Sequence, residues 1–221
     1  QKPTGDKDPY ALRRATLGIL RIIIGNKLDI DMSSLISDAV NAYPAGGPIS
    51  SYQGNLRKDV LEFVQGRYRA MYQEQGIDTP VILSVLAVNP TRPLDVEQRI
   101  QAVAAFRARP EAAALAAANK RVGNILGKLD GAAPDTINET ALQQDEERAL
   151  FTALQQARAD SGSNDYAATL ARLAALRAPV DAFFEKVMVM ADDATLRNNR
   201  LAMLKQLREL FLNVADISEL G

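Results

Sequence analysis

A chain of 221 residues suits one large domain or two small ones, and a fold of that size buries about 70% of its unfolded surface. Its 26 basic and 27 acidic residues leave a formal charge of -1, so the chain as a whole advertises neither a nucleic-acid nor a membrane partner. The absence of Cys and His removes disulfides, thiolate nucleophiles, cysteine-ligated zinc and imidazole general bases; it argues against resident chemistry and suits a reducing compartment.

The chain starts at Gln1, shows no charged-then-apolar leader and has no run near the ~20 apolar residues of a membrane span, so it reads as a soluble piece of a longer chain. Asp8 and Pro9 have the form of an N-cap and a first helical residue. They predict a helix over about 8–25, with Leu12, Leu17, Leu20 and Ile24 at helical spacing and Gly25-Asn26 as its end. Ser33-Ser34 precede a short second helix that stops before Pro44. Residues 42–55 concentrate Pro, Gly and Ser and predict a loop.

Residues 56–75 form a long amphipathic pattern through Val60, Phe63, Val64, Tyr68 and Met71, stopped by Gly76. A short apolar helix over 79–88 is closed by NPTRP at 89–93. Asp95 with Gln98 has the form of a capping box that opens the next helix, and Pro110 restarts the chain. Residues 111–129 are alanine-rich and strongly helical, and 130–138 read as a linker. From Glu139 a helix is expected to run to about Asp160, where SGSND at 161–165 interrupts it. Tyr166, Leu170, Leu173, Leu176, Val180, Phe184 and Val187 then step by three and four, which predicts one long helix. Asp192-Asp193 recap a last helix lined by Leu201, Leu204, Leu207, Phe211 and Val214. Nothing alternates with period two for long, so the expected fold is all-α, a helical bundle with two helical subdomains.

Charge is uneven along this chain. Between Arg99 and Asp130 six basic residues face Glu111 and Asp130 alone, whereas Asp135 to Glu147 holds five acids and no base. A polyanion binder could use such a basic zone, although a solvated helix face with its own counter-charges has the same composition. The stretch DATLRNNRLAML at 193–204 poses the same choice. Its acids can cap the helix and pair with Arg197 and Arg200, or its amides and guanidinium groups can meet unstacked bases and phosphates of RNA.

Other candidates are weaker. Asp29 and Asp31 have the look of a two-carboxylate metal pair, but no third ligand is near and helix capping or solvent accounts for them better. GNILG and PAGGP lack the strand and lysine of a phosphate loop. Met188, Met190, Phe183 and Phe184 are most economically core.

Three blocks together resemble one family. KPTGDKDPYALRRATLGILRIII near the start, LAAANKRVGNIL at 115–126 and FFEKVMVMADDATLRNNRLAMLKQLRELFLNVADISEL at 183–220 are similar, in the same order, to the C-terminal part of the bacterial glycyl-tRNA synthetase beta chain. The resemblance implies a helical region over 1–110 that follows an upstream HD-like domain, and an anticodon-binding helical bundle over 111–221 similar to that of arginyl-tRNA synthetase. It implies a non-catalytic part of a cytoplasmic glycine-tRNA ligase that grips the anticodon arm of glycine tRNA. The alpha subunit, in a heterotetramer of two alpha and two beta chains, would carry the site for ATP, Mg²⁺ and glycine, leaving no cofactor, metal or membrane for this chain. Chemistry placed on the matching blocks nominates Lys120, Arg121 and Asn124 on one helix face, with Arg197, Asn198, Asn199 and Arg200, as tRNA contacts. Arg13 and Arg14 are packing or phosphate residues that cannot both face one groove. The competing reading is a helical protein-protein module that docks the alpha subunit without touching RNA. A metal-dependent phosphohydrolase remnant fails for want of His.

Overall fold

The computed structural model describes Asp8, residues 10–44, Gly47, 53–159 and 165–221. Among these residues every regular element is helical: α1 (Leu12–Gly25), α2 (Met32–Asn41), α3 (Gln53–Glu74), α4 (Thr79–Leu86), α5 (Pro93–Arg107), α6 (Ala112–Leu126), α7 (Asp145–Ala159), α8 (Tyr166–Leu173), α9 (Arg177–Lys186) and α10 (Ala194–Leu212). The chain forms two compact units, Gln1–Ile100 and Gln101–Gly221, and is an all-α bundle protein as expected.

In the first unit α3 packs against α1, α2 and α4. Leu20, Ile23, Met32, Ile36, Val64, Tyr68, Met71, Tyr72, Val81, Ile82 and Val85 are buried. The Tyr68 and Tyr72 rings stack with centres 6.2 Å apart, and the Tyr72 hydroxyl donates to Glu97 Oε2 at 2.7 Å. Burial pushes both phenols above their ordinary value, and the Glu97 carboxylate adds to the effect at Tyr72.

Four helix starts in this unit differ from or refine the sequence expectation. Helix α1 opens at Leu12 rather than near 8, because Ala11 takes a left-handed conformation, φ 53°, that breaks the helical path before it. Asp8 still serves this end, accepting from the Arg13 N–H at 3.2 Å, while Pro9 lies outside the described residues. Asp31 caps α2, its Oδ1 accepting from the backbone of Ser33 and Ser34 and its Oδ2 from the Thr91 hydroxyl. The Thr91 hydroxyl, aided by those backbone groups and Arg92, holds its carboxyl below the usual range. Asp29 pairs with Arg92 at 2.6 Å, so both carboxylates serve the fold. Most of the loop expected over 42–55, and with it most of PAGGP, lies outside the described residues, and α3 has already begun at Gln53. Gly76, at φ 79°, supplies the left-handed turn after α3 that the sequence assigned to it. Helix α5 begins at Pro93, two residues ahead of the expected Asp95 cap; Asp95 instead sits in the first turn and pairs with Arg99 at 2.8 Å.

In the second unit α10 is the central element, packed on α6, α7 and α8, with α9 against α6 and α7. Leu115, Val122, Leu150, Leu154, Leu170, Leu173, Val180, Phe183, Leu204, Leu207 and Phe211 fill the interior. Phe106 at the end of α5 meets Phe211 with ring centres 6.4 Å apart.

Three expectations here are corrected. Residues 139–160 are not one helix: Asn138 caps a short 3₁₀ turn over Glu139–Ala141, and α7 begins only at Asp145. The single helix expected over 166–187 is α8, a 3₁₀ stretch over Ala174–Leu176, and α9. Pro179 explains the break, since it has no N–H to give to Ala175; starting α9 at Arg177 puts the proline in a first turn where no donor is needed. Met188 and Met190 are not core but 72% and 54% exposed, whereas Val187 and Val189 are buried. Helix α9 ends at Lys186 and Val187 is extended, φ -99° and ψ 121°, so side chains alternate in and out with period two. The interruption expected at 161–165 falls mostly outside the described residues; Asp165, which is described, caps α8 by accepting from Ala168 N–H.

Candidate nucleic-acid interface

Alanine at six of its fifteen positions makes α6 an easy helix to form. Its inner side, Leu115, Ala116, Ala118, Asn119 and Val122, is buried. Helical spacing then places Ala117, Lys120, Arg121, Asn124, Ile125 and Lys128 on the opposite side, where they line an open hollow of about 460 Å³. Three of the nominated residues thus share one surface. The Arg121 guanidinium carbon lies 4.3 Å from the centre of the Phe184 ring, a cation–π contact that fixes its position. Lys120 Nζ reaches the Gly221 carbonyl at 3.4 Å. Among the described residues no carboxylate pairs with Lys120, Arg121 or Lys128.

The other nominated group is divided by the fold. Asp193 caps α10, its Oδ1 accepting from Thr195 N–H at 2.7 Å and Leu196 N–H at 3.1 Å. Arg197 donates from Nη1 to the carbonyls of Ala191 and Asp192, at 2.8 and 3.2 Å, and ties the segment before the helix to its first turn. Asn198 is exposed. Asn199 and Arg200 turn inward and are each only 4% exposed. The Asn199 amide grips the linker in both directions, accepting from Asn138 N–H at 2.7 Å and donating to the Asn138 carbonyl at 3.1 Å. Arg200 donates from Nε to Glu147 Oε1 at 2.7 Å and from Nη1 to the Met188 carbonyl at 2.8 Å.

Glu147 completes this buried group. It stands at the third position of α7 and its Oε2 accepts from the backbone of Gln143 and Gln144, so it caps the helix while neutralising Arg200. Burial works to raise its carboxyl, but the Arg200 guanidinium and the two N–H groups outweigh that and hold it below the ordinary value. The acidic run around it is similarly occupied. Asp135 pairs with Lys205, Glu146 with Lys186 at 2.7 Å and Asp145 with Arg148 at 2.9 Å. Lys186 of α9 and Arg200 and Lys205 of α10 are thereby spent on the acidic segment, and the surface of α6 keeps its positive charge.

Sequence reasoning missed Lys128 and Phe184 as members of the α6 surface. Lys128 could have been found, being seven residues beyond Arg121 and four beyond Asn124. The Phe184 contact has no signal in spacing. Among the described residues no three His, Cys, Asp or Glu side chains gather as metal ligands, and no helix is long and apolar enough to cross a membrane.

Comparison with known proteins gives this arrangement a context. The family described as "Glycyl-tRNA synthetase beta subunit" matches residues 1–87, and the one described as "DALR anticodon binding domain" matches 115–218. A glycine–tRNA ligase beta subunit from Pseudomonas fluorescens is 52% identical over 99% of this chain and 32% of its own length. The chain belongs to the glycyl-tRNA synthetase beta-subunit family. Relatives from Aeromonas salmonicida and Acinetobacter baumannii, of the same description, are each 50% identical over 98% and 100% of the chain, covering 31% and 32% of their own lengths. The chain therefore spans about a third of the length of the curated relatives it matches. Within the family framework, the α6 surface and the start of α10 both lie in the part similar to an anticodon-binding domain.

Proposed function

We propose that residues 111–221 hold the anticodon arm of glycine tRNA and orient it for aminoacylation on a glycyl-tRNA synthetase alpha subunit. The observation that carries this reading is the α6 surface, where Lys120, Arg121, Asn124 and Lys128 converge on one open hollow without carboxylate partners, inside the stretch similar to an anticodon-binding domain. Lysine and arginine there meet phosphates, and Asn124 offers the donor and acceptor pair that reads a base edge. Arg197 and Asn198 extend the same function at the mouth of α10. Asn199 and Arg200 serve it by building the buried frame behind that mouth, not by touching RNA. Glycine, ATP and Mg²⁺ belong to the alpha subunit, in an assembly of two alpha and two beta chains in the cytoplasm. Binding energy collected at the anticodon, far from the reacting atoms, then sets the position of the acceptor end.

The test is equilibrium binding of the assembled alpha–beta enzyme to glycine tRNA and to transcripts altered at single anticodon bases. Each good base contact is worth about 1–3 kcal/mol of discrimination. Equal affinity for all transcripts defeats the anticodon reading and favours the module that docks the alpha subunit without reading RNA.

A further inference from the structure

Helix α1 is apolar over too much of its circumference for the unit that contains it. At about 100° per residue, Leu12, Ala15, Ile19, Leu20, Ile22, Ile23, Ile24 and Leu17 span about 220° with Thr16 and Arg13 interspersed on the inner half, roughly twice the stripe a surface helix needs to dock on one core. The first unit uses one half of that arc, burying Leu20 and Ile23. The other half faces outward, with Leu12, Ile19 and Ile22 exposed by 40%, 46% and 59%. Gly18 borders this outward half. A Cβ built there meets nothing within 4 Å, so the described structure has no need of a helix-weakening glycine at that position. A glycine in mid-helix beside an open apolar ridge suits close approach by a backbone from outside the structure.

We infer that the outward ridge of α1, Leu12, Ala15, Ile19 and Ile22 with Gly18 at its edge, is a docking seam for the remaining two thirds of the beta-subunit chain. The occupant follows from length: relatives match 98–100% of this chain yet are only 31–32% covered by it, so a large body of the same polypeptide is absent from the structure. A covalently attached body is present at high effective concentration, and a ridge of a few side chains suffices to hold it where a free partner would need a larger interface. The inference rests on family membership and stands whether or not the second unit reads an anticodon.

The experiment is hydroxyl-radical footprinting, read by mass spectrometry, of the full-length beta chain alone and with the alpha subunit, each scaled to the same chain unfolded in urea. Expected is a several-fold suppression of labelling at Leu12, Ile19 and Ile22 in the beta chain alone. The variant Gly18→Leu, whose Cβ meets nothing within 4 Å, should restore that labelling by holding the seam apart. Labelling that stays high until the alpha subunit is added overturns the inference in favour of subunit docking. Labelling that stays high in both samples overturns it in favour of a bare ridge, and protection that survives Gly18→Leu overturns the close backbone approach.

Discussion

Arg200 and Glu147 meet at 2.7 Å with side chains 5% and 0% exposed, so removal of either leaves a charge in the interior with no water to solvate it. Arg200→Ala is expected to destabilise the second unit by about 3–5 kcal/mol, read as a lowered urea midpoint with unchanged slope. The double change Glu147→Gln with Arg200→Met should cost less than the two single changes added together, because neither partner is then stranded. The pair also sets an acid limit. Glu147 in the fold titrates below its unfolded value of about 4.3, so its contribution is full above that value and is lost as pH falls through the lower, folded value. Glu147→Gln should therefore flatten the stability profile in that acid window, and an unaltered slope there would deny the carboxylate its role. Asn199→Asp keeps the acceptor for Asn138 N–H but sets a carboxylate against the Asn138 carbonyl; about 1–3 kcal/mol of stability should go, measured in the same titration. None of these partnerships was legible in the sequence. The nearest acids to Arg200 along the chain are Asp192 and Asp193, and its true partner is 53 residues away on another helix.

At the scale of elements the sequence was more informative, because helix-forming patterns and caps are local. Gly76, Asp193 and the alanine-rich α6 could be read from neighbours within one turn, and the structure uses each as expected. Asp193→Ala should cost about 1 kcal/mol, with two N–H groups left to water, while exposed Asn198→Ala should change stability by no more than about 0.5 kcal/mol. Thermal melts of the two variants side by side check both, and an equal loss at Asn198 would place that side chain in the framework after all. What could not be read was where a continuous apolar stripe is cut. The residues from Tyr166 to Val187 keep helical spacing across Pro179, so periodicity alone joins α8 to α9, and only the missing N–H separates them. Beyond Lys186 the pattern VMVM is apolar at every position, and an apolar run carries no phase. Tertiary packing chose Val187 and Val189 for the interior and left Met188 and Met190 outside.

For the whole molecule, a formal charge of -1 is the sum of a satisfied acidic segment and an unsatisfied basic surface. Four of the five acids between Asp135 and Glu147 are held by Lys205, Arg148, Lys186 and Arg200, so that segment presents far less negative charge than its composition suggests. The basic zone, which the sequence shows only as a local surplus, stays outward on α6. A polyanion should feel this difference through counterion release. In the assembled alpha–beta enzyme, Lys120→Ala and Lys128→Ala are each expected to weaken tRNA binding uniformly across anticodon variants. Each should also lower the slope of log affinity against log salt by about 1, the signature of one lost phosphate contact. Asn124→Ala should do the reverse, leaving the salt slope in place while reducing discrimination between anticodons by about 1–3 kcal/mol. The two classes of variant thus separate the electrostatic role of the surface from its reading role. Filter binding over a salt series distinguishes them directly. A salt slope untouched by both lysine changes would mean that the nucleic acid rests on some other face, however favourable the charge on α6.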